Sequence, residues 1–234
     1  MQNNHSPSLT RGLIRWAVKQ TVFALFLAAS LFLSAGRFDW QKAWIYLGLV
    51  VLIQVLTASL LIPRSPELLV ERSQLQEGVK GWDIGLAVCM GYGPVLIALV
   101  AGLQVRLSTV SPISTLLLIL SLLVAVPGAL LTLWAMLSNR FFSGVVRIQK
   151  ERGHAAVSAG PYRYIRHPGY VGALAFTLAT PLILDSLWAV FPVALVAGAT
   201  VLRTALEDRT LQAELEGYSD YARRVRYRLL PGIW

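Results

Sequence analysis

The chain has 234 residues, of which 56% are hydrophobic and only 14% are charged, whereas a soluble globular domain carries about 25% charged residues. This composition excludes an ordinary soluble domain and predicts that most of the apolar surface faces lipid or other helices. The net charge of +9 does not indicate nucleic-acid binding, because the basic residues flank apolar runs and do not form one polar face. A single cysteine, Cys89, and three histidines without ligand spacing argue against a disulfide framework and a metal site.

Six apolar runs follow one another along the chain, at residues 14–35, 44–62, 84–103, 113–137, 170–184 and 187–202. A bilayer core of roughly 30 Å needs about 20 residues per helix, so the first four runs are long enough to cross it. The last two are shorter and are separated only by Asp185 and Ser186. They form either a tight helical hairpin or one broken re-entrant unit. The sequence therefore predicts an all-α, polytopic membrane protein with about six transmembrane helices.

The lysines and arginines are distributed very unevenly between the two sides that six spans define. Eighteen of the 21 fall at the N-terminus, in the second and fourth loops and in the C-terminal segment, whereas the other side carries only Arg37, Lys42 and Arg106. Positively charged loops stay in the cytoplasm. We therefore expect an integral, multi-pass membrane protein with both termini cytoplasmic.

The chain remains helical after the last run but becomes amphipathic. Apolar residues recur there at helical spacing, at Leu211, Leu215, Tyr218, Ala222 and Val225, which predicts a helix that packs one face against the protein. Gly217 is expected to interrupt it.

Two polar segments, at residues 154–170 and 203–208, flank the last two runs and are assigned to the same cytoplasmic face. Since a short hairpin joins them, they must lie close together. Their aromatic, histidine, arginine and acidic side chains make this a candidate site at the membrane surface.

Three motifs carry a resemblance to a known family: G-P-Y-R-Y-I-R-H-P-G-Y-V-G at 160–172, R-T-A-L-E-D-R-T-L at 203–211, and G-Y-S-D-Y-A-R-R-V-R-Y-R-L-L-P at 217–231. Together they resemble the family of isoprenylcysteine carboxyl methyltransferases and phospholipid N-methyltransferases. The resemblance covers roughly the last 90 residues. The apolar runs themselves give the only plausible functional division, in which residues 1–140 form a transmembrane scaffold of four helices. Residues 141–234 would then form the cofactor-binding and catalytic region, with the R-H-P loop, the helical hairpin and the amphipathic C-terminal helix.

The family resemblance also implies a cofactor, S-adenosyl-L-methionine, held in a cytosolic pocket of this C-terminal third. The residues that match cofactor-binding positions are His154, Ala155, Ala156, Val157, Tyr162, His167, Pro168, Gly169, Tyr170 and Glu207. Arg203 matches a substrate-binding arginine, and Arg203 and His167 are the candidate catalytic residues. Arg147 stands where a relative has a glutamine.

The chemistry of the cofactor agrees with these residue types. A carboxylate such as Glu207 can pair with its ammonium group, and tyrosines offer flat faces to an adenine or a cation. A carboxylate acceptor needs no base, whereas a thiol or amine would need one, for which His167 is a candidate.

Several residues also have a purely structural interpretation. Arg203 and Glu207 could form an i,i+4 ion pair, Arg163 and Arg166 could set topology and touch headgroups, and the tyrosines could be interfacial anchors.

The leading hypothesis is a methyltransferase that acts on a lipophilic or lipidated acceptor, most simply an isoprenylcysteine-type carboxylate. The alternatives are a phospholipid amine or small thiol as acceptor, or a non-catalytic scaffold or transporter. Membrane lipids are the other expected partners, and no sequence feature indicates an oligomeric state.

Overall fold

The computed structural model describes residues 7–74, 77–107 and 114–234, and these residues contain helices and no strand. The longer helices are α1 (Pro7–Ala35), α2 (Gln41–Leu61), α4 (Gly81–Leu107), α5 (Thr115–Ser138), α6 (Pro168–Ile183) and α7 (Val190–Glu214). Two short helices, α3 (Pro66–Ser73) and α8 (Tyr218–Arg224), and two 3₁₀ turns at Lys150–Arg152 and Gly160–Arg163 complete this part of the chain. The predicted all-α class is confirmed.

Five of these helices are long and apolar enough to cross a membrane: Ser8–Ala35, Gln41–Leu61, Gly81–Leu107, Thr115–Ser138 and Val190–Glu214. The remaining apolar helix, α6, has 16 residues and is therefore about 24 Å long. The expectation that the last two runs are both short was wrong for the second, because α7 continues through its polar half to Glu214 without a break. The predicted start of the fourth run, Ile113, lies outside the described residues.

The turn between α6 and α7 is fixed by polar contacts. Asp185 adopts a left-handed backbone conformation (φ 63°) and pairs with Lys42 at 3.1 Å. The buried Gln104 accepts hydrogen bonds from the Ser186 hydroxyl and the Trp188 amide, each at 2.8 Å. The two helices are therefore separate elements joined by a closed turn, as the hairpin interpretation predicts.

The backbones of α5 and α6 approach each other unusually closely where two glycines face each other. A β-carbon added at Gly172 would lie 2.2 Å from the Gly128 carbonyl oxygen and 2.8 Å from the Thr132 amide nitrogen. Thr132 also donates from its hydroxyl to the Gly169 carbonyl at 3.2 Å. This contact places the first turn of α6, with the R-H-P loop, against the last turns of α5.

A polar layer covers one end of the helices. It contains α3, residues 139–167, α8 and the segment that follows it, and we call this end the loop face. The amphipathic stretch breaks at Gly217, where φ is 76°. Its apolar residues pack into one cluster with Ala135 and Tyr162, as their spacing predicts: Leu211, Leu215, Tyr218, Ala222 and Val225.

Candidate active site

A cavity of about 320 Å³ opens inside the loop face. Ten of the eleven predicted site residues line it: His154, Ala155, Ala156, Val157, Tyr162, His167, Gly169, Tyr170, Arg203 and Glu207. The eleventh, Pro168, is buried in the first turn of α6. The C-terminal third does not form the cavity alone, since α3 contributes Arg72 and α4 contributes Ala87, Met90 and Gly91.

Glu207 lies on the wall that α7 presents to the cavity. The Tyr170 hydroxyl of α6 donates a hydrogen bond to its carboxylate at 2.5 Å. The i,i+4 ion pair between Arg203 and Glu207 is not formed. Within the described residues, Glu207 is thus a cavity carboxylate with a neutral hydrogen-bond donor and no ion pair, which leaves its negative charge available to a ligand.

Arg203 is instead held by an acidic residue 120 positions away. Its Nε and Nη2 donate to the two carboxylate oxygens of Asp83, at 2.6 and 2.9 Å, and Nη2 also donates to the Gly144 carbonyl at 2.8 Å. Asp83 is wholly buried and accepts a further bond from the Val146 amide at 2.6 Å. The arginine therefore fastens α7 to the start of α4 and to residues 144–146.

One end of Arg203 remains on the cavity side. The nearest partner of Nη1 is the Met90 sulfur at 3.9 Å, and the guanidinium lies 5.7 Å from the centre of the Tyr170 ring. The predicted substrate role of Arg203 can therefore involve only this group, and it stays a prediction.

Asp208, the neighbour of Glu207, joins three distant segments. Its carboxylate accepts from the Tyr218 hydroxyl at 3.0 Å and from Arg228 Nε at 2.8 Å. It also pairs with Arg166 at 3.3 Å and lies 3.4 Å from Nε2 of His167. Because Asp208 has no exposed surface, these contacts supply the compensation that its buried charge requires.

This network fixes the R-H-P loop. The amides of Arg166 and His167 donate to the carbonyls of Tyr227 and Arg228, at 2.9 and 3.0 Å. The His167 ring stacks on Tyr170, with 5.8 Å between the ring centres. Since Nε2 faces Asp208, any base function of His167 falls to Nδ1. That function stays a prediction.

The position of Arg166 shows that one structural interpretation made from the sequence was wrong. It was expected to touch lipid headgroups, but it is buried and lines the cavity, whereas Arg163 is exposed. The Arg166 Nε has no hydrogen-bond partner within the described part of the chain. An anionic group bound in this part of the cavity would offset the cost of that buried donor.

Aromatic rings line the His154 end of the cavity. The Gln149 amide donates to Nδ1 of His154 at 3.3 Å, and the ring packs on Phe141 with 4.6 Å between centres. Burial, with the cations Arg147 and Arg152 nearby, lowers the pKa of His154 to about 4. The imidazole is therefore neutral at pH 7, and it donates only from Nε2.

Tyr162 closes the same part of the cavity. Its hydroxyl accepts a hydrogen bond from the Asn139 side chain at 3.3 Å, and its carbonyl accepts one from Tyr221 at 2.8 Å. Burial raises the pKa of Tyr162 above its ordinary value, so the phenol stays protonated.

Sequence reasoning missed several residues of this site. Arg147 stands where a relative has a cofactor-binding glutamine, and in the structure it pairs with Glu71 at 3.0 Å and with Glu151 at 2.7 Å. A buried glutamine, Gln149, lines the cavity two residues later and donates to the Phe141 carbonyl at 2.8 Å. Asp83 could have been noticed, because an acidic residue beside an apolar run usually has a partner.

The comparisons with known proteins concern the same region. Residues 113–213 match the model of the isoprenylcysteine carboxyl methyltransferase (ICMT) family. This match covers 101 of the 234 residues, so the C-terminal part of the chain is similar to this family. The matched stretch holds α5, α6 and α7 and contains all eleven predicted site residues. Asp83, Tyr218 and Arg228, which hold the site together, lie outside it.

Three proteins illustrate how far the likeness to the ICMT family extends. The chain is 32% identical over 91 residues to the protein-S-isoprenylcysteine O-methyltransferases of Mus musculus and Rattus norvegicus, which is 36% of this chain and 30% of each relative. It is 32% identical over 95 residues to a protein of Oryza sativa subsp. indica named "Probable protein-S-isoprenylcysteine O-methyltransferase", which is 38% of this chain and 47% of that relative. The matched part thus spans less than half the length of these relatives.

Proposed function

We propose that this membrane protein is a methyltransferase that uses S-adenosyl-L-methionine to methylate the carboxylate of a lipophilic, prenylcysteine-type acceptor. The observation that carries the proposal is the meeting of ten predicted site residues in one cavity, with Glu207 as a carboxylate that forms no ion pair within the described residues. The match to the ICMT family model and the names of the relatives support the same reaction.

The residues of the cavity fit the cofactor by their chemistry. Glu207 would bind its ammonium group. Arg166, whose buried Nε has no hydrogen-bond partner in the part of the chain that the structure describes, would face its carboxylate. Phe141, His154 and Tyr162 provide an uncharged aromatic lining for the adenosyl group. The cofactor supplies an electrophilic methyl group on a cationic sulfur.

The protein's part in this chemistry is to bind and orient. A carboxylate attacks as it is, so no side chain has to remove a proton. Positioning two reactants in line can itself supply about 7–11 kcal/mol of the barrier. The rigid frame of Asp83, Arg203 and Asp208 keeps the walls of the cavity fixed for this purpose.

We also propose that the loop face is cytosolic and that both termini lie on that side. The support is the excess of lysine and arginine in the segments assigned to it, 18 of 21.

The test begins with cofactor binding. Calorimetry of the purified protein in detergent should give one site for S-adenosylhomocysteine. Glu207→Gln should weaken binding more than tenfold, because truncating one partner of a buried charge pair costs about 2–5 kcal/mol. Glu216→Gln is the matched control, since that carboxylate lies outside the cavity. A folded protein that binds no cofactor at millimolar concentration would refute the proposal.

Methyl transfer is the second measurement. Labelled cofactor is supplied with prenylcysteine, phospholipid and thiol pools, and the products are separated. Label in the prenylcysteine ester supports the carboxylate acceptor. Label found only in phospholipid would mean that the acceptor is an amine, and label found only in a thioether would mean that it is a thiol.

A further inference from the structure

Arg72 is a cavity arginine that the predicted site does not include. It is carried by α3 and lines the cavity. Its guanidinium lies 5.3 Å from the centre of the Phe142 ring. Among residues 7–74, 77–107 and 114–234, it forms no hydrogen bond or ion pair. Its only direct partner in that part of the chain is thus the face of an aromatic ring, which holds a cation in place without neutralising it.

The other charges around this part of the cavity are already matched. Arg203 forms an ion pair with Asp83, with 2.6 Å between Nε and Oδ1. The adjacent Glu71 accepts from Arg147 on both oxygens, at 3.3 and 3.0 Å. Of Arg72, Arg147 and Arg203, only Arg72 forms no ion pair within the described residues.

The surroundings of Arg72 make this charge unfavourable without a ligand. Although Arg72 is an exposed residue of the cavity lining, its pKa is lowered from the usual value by desolvation and by the cation of Arg203. Two arginines approach one space here, and the Nη1 of Arg203 has only the Met90 sulfur, at 3.9 Å, as a partner within the described residues. An anion bound between them would offset their mutual repulsion. A planar guanidinium matches the two oxygens of a carboxylate.

The acceptor is a better occupant of this corner than the cofactor. The predicted cofactor residues all lie within the family stretch, residues 113–213, whereas Arg72 lies outside it. Arg72 lies instead close enough to Arg203, the predicted substrate-binding residue, for that cation to contribute to the lowered pKa of Arg72. The cofactor's own carboxylate also has a candidate in Arg166, on the R-H-P loop.

We propose that Arg72 binds the carboxylate of the methyl acceptor from the α3 side of the cavity and thereby selects an acidic acceptor over a neutral one. Nη1 of Arg203 faces the same space and is the second donor. The assignment rests on the proposed function and adds to it the residue that recognises the reacting group.

The experiment compares an N-acetylated S-prenylcysteine with its neutral amide, titrated into protein saturated with S-adenosylhomocysteine. The wild type should bind the acid more tightly. Arg72→Gln should weaken binding of the acid at least tenfold and leave the amide within twofold. Arg72→Lys should recover part of the preference, since it keeps the charge. Arg64→Gln is the matched control: Arg64 donates to the Leu60 carbonyl at 3.1 Å and does not line the cavity.

The outcomes separate this inference from the proposed function. Unchanged acid affinity in Arg72→Gln, or a wild type that does not prefer the acid, would overturn it while cofactor binding still stands. A parallel loss of S-adenosylhomocysteine affinity in Arg72→Gln would make Arg72 a cofactor residue. If the protein instead methylates phosphatidylethanolamine vesicles in an Arg72-dependent way and does not bind the prenylcysteine acid, the group that Arg72 binds is a phosphate and not a carboxylate. A wild type without cofactor affinity would remove both proposals.

Discussion

Replacing Arg203 by alanine is expected to destabilise the whole protein, beyond any effect on the cavity. Asp83 has no exposed surface, and two of its hydrogen bonds come from Arg203. In the variant, only the Val146 amide would still donate to this carboxylate. The Gly144 carbonyl would also lose its donor.

The size of the effect follows from the burial of the pair. Removing one partner of a buried ion pair costs about 3–5 kcal/mol, because an uncompensated charge is left behind. For a chain of this length, 1 kcal/mol shifts the melting temperature by about 2–4 °C. We therefore expect Arg203→Ala to melt roughly 6–20 °C below the wild type. Arg203→Lys should lose less free energy of unfolding, about 1.5–3 kcal/mol, because lysine keeps the charge but cannot form the bidentate contact with Asp83.

Thermal unfolding in detergent, followed by tryptophan fluorescence, is a direct assay. Arg209→Ala is the matched control, since Arg209 lies on the same helix and is exposed. Combining Arg203→Gln with Asp83→Asn should cost less than the sum of the two single changes, because neither charge is then left alone. A melting temperature for Arg203→Ala within about 2 °C of the wild type would refute this reasoning. A loss of turnover without destabilisation would then return Arg203 to a purely acceptor-binding role.

Three further predictions concern topology, pH and packing. Reporter fusions at the N-terminus, near Arg106 and after Trp234 should report inside, outside and inside; an external reading after Trp234 would contradict the six-span arrangement. Unfolded His154 takes up a proton near pH 6.5 and the folded ring only near pH 4, so stability should fall as the pH drops from 6.5 to 4. His154→Asn should show a shallower fall in melting temperature, and an identical pH profile would count against the buried neutral ring. Gly172→Ala should lose about 1–3 kcal/mol and weaken cofactor binding, because its β-carbon would meet the backbone of α5. The control Gly198→Ala has open space around it, and equal melting temperatures for the two variants would show that α5 and α6 can separate.

The sequence predicted the parts of this molecule that depend on local pattern. Each apolar run became a helix, because burial of apolar side chains and internal backbone bonding are decided within a span. The amphipathic stretch after the last run packed as predicted, with Leu215 and Tyr218 inside. The motif residues of the R-H-P loop met Glu207 because only a short hairpin separates them.

Contacts between distant segments were not predictable in the same way. Nothing near Arg203 in the chain indicates that its carboxylate partner is Asp83, and the i,i+4 neighbour Glu207 was the obvious local choice. The α3 helix was missed because it has only eight residues, too few for a periodic pattern to stand out. Arg166 was misjudged because a basic residue beside a span usually stays at the surface.

The carboxylate of Asp208 also has a consequence for biosynthesis. It joins the R-H-P loop to Tyr218 and Arg228, which leave the ribosome after α1 to α7. A nascent chain grows at about 5–20 residues per second, so these helices can insert while Asp208 still lacks two of its partners. The R-H-P loop is therefore fixed in place only after residue 228 has emerged. A chain interrupted before Tyr218 would insert the same helices but would lack the contacts that hold this wall of the cavity.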